Sequence, residues 1–311
     1  MKEYAIGKID ESTKLRTKKI AYKVTGILWK IFRAALLIGL SFVILYPLIY
    51  AITMTFRPAD QIYDPTVVWI SKSLTLDNLK TTFQLMDYPK ALLNSLMVNV
   101  ISSFLQVAIC AFTSYGFARF EFKGKNILFG LVLLTVLVPP QVIITPSFLT
   151  YKTLGLVNTY WTFYLPAIFG AGIKSGLFIF IFRQFFRGLP KELEDAAYLD
   201  GCSPLKTFLV IMCPNAKSSF LTVFLFSIVW YWNDYYVSSS FFTQNDTVAL
   251  MLKNLNTNLT QQLFDGQAVS VRQIIVWLEA GCLLSITPIL VMYVFLQRYF
   301  IEGVERSGLA N

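Results

Sequence analysis

The sequence predicts an all-α, polytopic membrane protein with six transmembrane helices and a cytosolic helical loop. Three observations lead there. Of the 311 residues 55% are hydrophobic and only 14% are charged, where soluble domains run near a quarter charged. Six apolar stretches carry no more than one charge each, and each is near the 20 residues a helix needs to cross a bilayer core. Between the fourth and fifth, Leu189 to Pro214 is polar and carries helix start and stop signals on both sides of a glycine.

Residues 1–33 hold nine Lys and Arg and read as a basic cytosolic segment, either an interfacial helix from Ile20 onward or a disordered tail. Residues 34–303 form the six-span domain, and 304–311 a cytosolic tail. The first span, Ala34 to Phe56, is too long for a signal-peptide core and no cleavage site follows it. It contains Pro47, which a membrane helix tolerates with a kink. In the exterior loop from Arg57 to Lys90, Thr75 or Asp77 can cap a short helix.

The second span, Ala91 to Ala118, has no charge for 28 residues. Steps of three or four join Ser95, Asn99, Ser102, Ser103 and Gln106 into one polar stripe, with Asn94 at its border. Such a stripe faces helices or water rather than lipid. Interhelical hydrogen bonding and a hydrophilic pathway both account for it.

The third span, Asn126 to Tyr151, contains Val138-Pro139-Pro140-Gln141 and then Pro146, which no uninterrupted helix accommodates without lost hydrogen bonds. A broken helix at membrane depth is tolerated only inside protein or beside a cavity, which favours a translocation pathway over a plain anchor. The fourth span, Thr153 to Phe182, is interrupted only by Lys174. Tyr160, Trp161 and Tyr164 at its start suit a membrane interface. The fifth, Ser218 to about Val237, ends in Trp230-Tyr-Trp232-Asn233-Asp234. That cluster suits sugar stacking or an interfacial belt. An exterior loop leads to the sixth span, Ile274 to Gln297, which holds Glu279. A charge at mid-bilayer costs about 2.5–3.5 kcal/mol, so Lys174 and Glu279 either pair, face the bundle interior or snorkel to the surface.

Orientation follows from Lys and Arg. Nineteen lie on the side holding both termini and the polar loop, and seven on the other. That side is the cytosol, and the net charge of +9 needs no nucleic acid to explain it. The absence of histidine removes histidine catalysis, metal sites and proton relays together, and no metal site is expected. Cys110, Cys202, Cys213 and Cys282 lie in spans or the cytosolic loop, so disulfides are not expected.

In the polar loop, Pro190 suits a first helical turn, and Glu192, Glu194 and Asp195 complement the helix dipole there. Leu193, Ala196, Ala197 and Asp200 fall on one narrow face. Gly201 stands where a left-handed cap is required. Ser203 and Pro204 start a second helix, whose apolar face is Phe208, Ile211 and Met212, and Pro214 ends it.

The string Glu194-Asp195-Ala196-Ala197, then Asp200-Gly201, Ile211 and Pro214, resembles the EAA loop of ABC importer permeases. Asn94-Ser95, Tyr115-Gly-Phe-Ala-Arg-Phe, Val138-Pro-Pro-Gln, Leu154-Gly-Leu-Val-Asn-Thr-Tyr, Trp232-Asn-Asp and Gln297-Arg-Tyr-Phe with Gly303 are similar to the carbohydrate branch, the maltose-type second permease subunit. Asp195 replaces the usual Glu, and the tail from Glu305 departs from the family's ending. The resemblance implies a six-span bacterial cell-membrane subunit working with a homologous second permease, two cytosolic ABC ATPases that bind ATP and Mg, and an external sugar-binding protein. It implies that Glu194, Asp195, Ala196, Ala197, Asp200 and Gly201 couple to the ATPase. The chain itself is expected to be non-catalytic and to hold no cofactor, since it has no phosphate-binding loop. Asn94, Asn99, Gln141, Lys174, Trp232 and Asn233 are the candidate pathway residues for a di- or oligosaccharide. The alternatives are a polyol or glycerol phosphate ester importer and an ion-coupled secondary transporter.

Overall fold

The computed structural model describes residues 2–64, 66, 71–244, 246–264 and 270–308, which are helical with no strand among them. In chain order the helices are α1 (Lys2–Thr55), α2 (Asp77–Leu85), α3 (Tyr88–Leu96), α4 (Ser102–Arg119), α5 (Lys125–Leu137), α6 (Pro140–Thr153), α7 (Trp161–Ile168) and α8 (Ser175–Gly188). There follow α9 (Glu192–Leu199), α10 (Pro204–Thr207), α11 (Cys213–Asn215), α12 (Lys217–Trp232), α13 (Tyr236–Phe241), α14 (Val248–Phe264) and α15 (Val271–Gly308).

Helix α1 passes through residue 33 and Pro47 without a break. Its apolar stretch is 6% buried, whereas Tyr88–Arg119 is 44% buried, which makes α3 and α4 the hub and α1 peripheral. A π turn at Met97–Ile101 joins α3 to α4. Helix α4 packs most extensively on α8 and also meets α7 and α12, while α1 lies along α15. The N-cap of α2 is Leu76, which makes no side-chain cap, while the Thr75 hydroxyl before it accepts from the Asp77 backbone N–H at 3.1 Å.

The break in the third span falls where the prolines require it. Val138 and Pro139 each precede a proline and are extended, with ψ 118° and 138°. Helices α5 and α6 therefore meet at 97°. Pro146, expected to interrupt the helix as well, lies within α6. The expected fourth span is corrected more deeply, because Thr153 to Phe182 is not one helix. The chain leaves α6 through left-handed Gly155 and Asn158, forms α7, turns again through left-handed Gly170 and Lys174, and only then enters α8. Three described helices are long and apolar enough to cross a membrane, and two bent pairs, α5 with α6 and α10–α11 with α12, bring the number to five.

The main core lies where α4, α8 and the segment after α10 converge. Phe178, Phe182, Phe186, Tyr115, Phe208 and Met212 fill it, at the end of α8 that leads into α9. Helix association inside lipid gains little from hydrophobic transfer, so close aromatic packing and dispersion hold this contact.

Candidate functional site

Helix α9 and its flanks form a hairpin seated on the end of α4. Gly201 is left-handed at φ 75°, as the sequence requires. The Gly201 N–H donates to Tyr198 O at 3.0 Å and the Cys202 N–H to Ala197 O at 2.9 Å, so the last carbonyls of α9 are satisfied in a Schellman-type cap. Ser203 caps the next helix, its hydroxyl accepting from the Lys206 N–H at 3.3 Å. Phe208 and Met212 point into the main core, and the chain turns by 81° into α12.

Glu194 anchors the hairpin from beneath. Its Oε2 lies 2.8 Å from Arg119 Nε, both side chains less than a tenth exposed. Its Oε1 accepts from the Tyr115 hydroxyl at 2.7 Å. Arg119 also donates to Leu189 O at 2.8 Å, fastening the turn between α8 and α9. Both carboxylate oxygens are thereby used at the last turn of α4. The single narrow face expected from Leu193, Ala196, Ala197 and Asp200 is split: Ala197 turns inward with Glu194, while Asp195, Ala196, Leu199, Asp200 and Gly201 face outward. Leu199 is 89% exposed, an apolar tip on an acidic face. Nearby, Lys125 donates to Glu121 at 2.9 Å and holds that exposed carboxyl below its usual range, a contact of little weight in stability.

The polar stripe of the second span is buried throughout. Asn94 donates to Asp246 O at 3.1 Å and accepts from the Tyr160 hydroxyl at 2.7 Å. The Ser95 hydroxyl accepts from the Val248 N–H at 2.8 Å, tying α3 to the start of α14. Asn99 donates to Ser95 O at 2.9 Å. Gln106 Nε2 donates to Ile173 O at 2.6 Å and to the Ser175 hydroxyl at 2.9 Å. Within this chain Asn94, Ser95 and Gln106 join helices, whereas Asn99 bonds within its own segment and the buried Ser102 and Ser103 hydroxyls have no partner among the described residues. The recess beside Asn94, lined also by Asp87, Lys90 and Asp246, measures about 50 Å³, room for water rather than for a sugar ring. Burial there pushes the Asp246 carboxyl up.

The remaining candidates scatter. Gln141 is exposed on α6. Trp232 is buried, its indole N–H donating to Ser285 O at 3.0 Å, so it joins α12 to α15 and is unavailable for stacking on a sugar. Asn233 is exposed and bonds back to Val229 O. Asp234 accepts from the Val237 and Ser238 N–H groups at 3.1 and 2.9 Å and caps α13. Lys174 sits in the break before α8 at φ 62°, its ammonium 4.9 Å from the ring centre of Trp230. Among the described residues no ion pair joins it to Glu279 or to any other carboxylate. A desolvated cation over a ring gains about 2 kcal/mol, less than the roughly 2.5–3.5 kcal/mol of placing a lysine at mid-bilayer.

The sequence offered Tyr115 and Arg119 only as parts of a family motif and Trp230 only as part of an aromatic cluster, and gave none of the three an individual role. Arg119 ends the longest charge-free run and Glu194 lies in the loop on the same side, so charge complementarity across one end of the bundle pointed to that pair. Trp230 and Trp232 are two residues apart, about 200° around a helix, so only one of them could face inward.

A family model described as "Binding-protein-dependent transport system inner membrane component" matches residues 106–306. The arabinooligosaccharides transport system permease protein AraQ of Halalkalibacterium halodurans is 32% identical over 273 residues, covering 87% of this chain and 92% of that protein. The trehalose transport system permease protein SugB of Mycobacterium tuberculosis is 27% identical, covering 85% and 92%. A solved bacterial ABC transporter involved in import of the acidic polysaccharide alginate superposes with a TM-score of 0.72 at 19% identity, covering 88% of this chain and 96% of its own.

Proposed function

Because the chain belongs to the binding-protein-dependent transport system inner membrane components, we propose that it is the permease subunit of an ATP-driven carbohydrate importer of the cytoplasmic membrane. It forms half of a translocation pathway with a homologous second permease. Two cytosolic ATPases supply the ATP and Mg chemistry, and an external binding protein delivers a di- or oligosaccharide. Six spans result if α7 and α8, Trp161 to Gly188, cross as one broken span beside the five already described. Both termini and the α9 hairpin then face the cytosol, as the distribution of Lys and Arg favours.

One observation carries the reading: α9 is capped at Gly201 and fixed to α4 by the Glu194–Arg119 pair, with Asp195, Ala196, Leu199 and Asp200 left exposed. A stiff element with a small, acidic outward face suits docking into a cleft of an ATPase, and its tie to α4 passes rigid-body motion to the spans. Glu194 serves here as the strut, whereas Asp195, Ala196, Asp200 and Gly201 present the docking face.

The test is uptake of labelled oligosaccharide by cells whose proton gradient is collapsed while ATP is maintained. Continued uptake is expected. Loss of uptake under those conditions would favour the ion-coupled secondary transporter. A glycerol phosphate ester, whose charge calls for more than one cation, is the weaker substrate assignment, since Lys174 is the one cation deep within an apolar span among the described residues.

A further inference from the structure

We propose that Lys174 and Trp230 form a subsite for a saccharide that carries a carboxylate. The sugar face stacks on the indole and the carboxylate bonds to the ammonium. The inference rests on the permease reading above and names the substrate class of that pathway.

Depth is the first support. Helix α8 begins right after Lys174 and runs to Gly188, which places Lys174 about 20 Å above the α9 hairpin. Trp230 lies near the far end of α12, which starts at Lys217, at a similar height. In a core about 30 Å thick both stand well inside the membrane.

The second support is that the surroundings impose the position. A left-handed conformation is unusual for lysine and persists where neighbours over-determine it. Here they do. Gln106, fully buried, donates to the carbonyl of Ile173 on one side and to the hydroxyl of Ser175 on the other. Two residues earlier glycine leaves room for these side chains: a Cβ at Gly172 would lie 2.6 Å from the Tyr231 hydroxyl and 3.0 Å from Gln106 Oε1, so they would have to shift. Three residues are thus spent on presenting one side chain.

The third support is charge. A cation at the start of a helix opposes the helix dipole, so Lys174 does not serve α8. Among the described residues no carboxylate pairs with it. The next cation along α8, Arg183, is turned away, donating to Phe117 O and lying 4.0 Å over the Phe129 ring. What remains is a half-buried lysine whose ammonium lies 4.9 Å over one side of an indole that is 44% exposed. An indole offers a platform to the apolar face of a sugar, and an adjacent ammonium adds a charge-assisted hydrogen bond that only an anionic sugar uses fully. One ammonium matches a monovalent carboxylate, whereas a phosphate dianion calls for a second cation.

The test uses the complete transporter, both permeases with the ATPases, in nanodiscs for binding and with the external binding protein added for uptake. The probes are a trisaccharide carrying a single galacturonate and its carboxyl-reduced neutral counterpart, followed by equilibrium binding and by ATP-driven uptake in proteoliposomes. The singly charged probe is expected to bind about tenfold or more tightly than the neutral probe, the effect of one charge-assisted bond. Lys174→Met should bring the two probes to equal affinity, Lys174→Arg should keep the preference, and Trp230→Leu should weaken both. Lys174→Arg serves as the folding control. Equal binding of the two probes by the unmodified chain, or a preference that survives Lys174→Met, overturns the inference. If neutral saccharide is still driven by ATP in those cases, the permease reading stands. Absence of ATP-driven uptake of either probe overturns both.

Discussion

Glu194 accepts from Tyr115 and pairs with Arg119 where each charged side chain is less than a tenth exposed. A buried pair of this kind adds little net stability over apolar replacements, yet losing one partner strands the other charge at about 3–5 kcal/mol. Glu194→Gln is therefore expected to lower the melting temperature of the purified complex sharply, while Glu194→Leu with Arg119→Leu recovers most of the loss. Equal destabilisation by the single and double changes would show that Arg119 does not depend on Glu194. At this scale the sequence was partly legible. It named Glu194 among the expected coupling residues of the loop without showing that its side chain turns inward, because burial within a short helix is decided by what lies beneath, and α4 is far away in sequence. It also favoured Trp232 over Trp230, since hydropathy does not say which side of α12 meets α15.

At the scale of elements, the two turns behave differently on substitution. A Cβ at Gly201 would meet nothing of this chain within 4 Å, so within the subunit a substitution there acts through backbone strain, about 1–2 kcal/mol for an L residue in the left-handed region. Coupling should then decline in a graded series, least for Gly201→Asn, more for Gly201→Ala and most for Gly201→Val, read as saccharide-stimulated ATP hydrolysis. A flat series would mean that the cap does not transmit motion. Gln106→Leu removes the donor to Ile173 O and Ser175, leaving a buried acceptor unpaired at about 1–3 kcal/mol. It should loosen the α7–α8 break, seen as faster hydrogen exchange at residues 173–176. The α5–α6 break was legible because prolines mark it chemically. The α7–α8 break was not, although Gly170 and Gly172 stand within it. Hydropathy sums side chains and passes over two glycines whose backbone turns, and the tertiary bonds of Gln106 complete the turn.

The whole molecule carries its largest asymmetry in charge, with nineteen Lys and Arg on one side of the spans and seven on the other. Positive residues near span ends resist translocation, so on the six-span arrangement proposed above the asymmetry favours the face bearing the α9 hairpin as the cytosolic one, where an ATPase would meet it. Cys202 supplies a native probe. It follows Gly201 at the tip of the hairpin and is partly exposed, while Cys110 is fully buried in the main core. With Cys110→Ala, Cys213→Ser and Cys282→Ser, Cys202 becomes the single thiol of the chain. A membrane-impermeant maleimide should label it in inside-out vesicles and leave it unlabelled in intact cells. Labelling from the outside would invert the topology and remove the hairpin from any ATP-bearing partner. Labelling from the inside alone would join the three scales. The anchored Glu194, the capped α9 and the charge asymmetry would then place one rigid element on the only side where ATP is available.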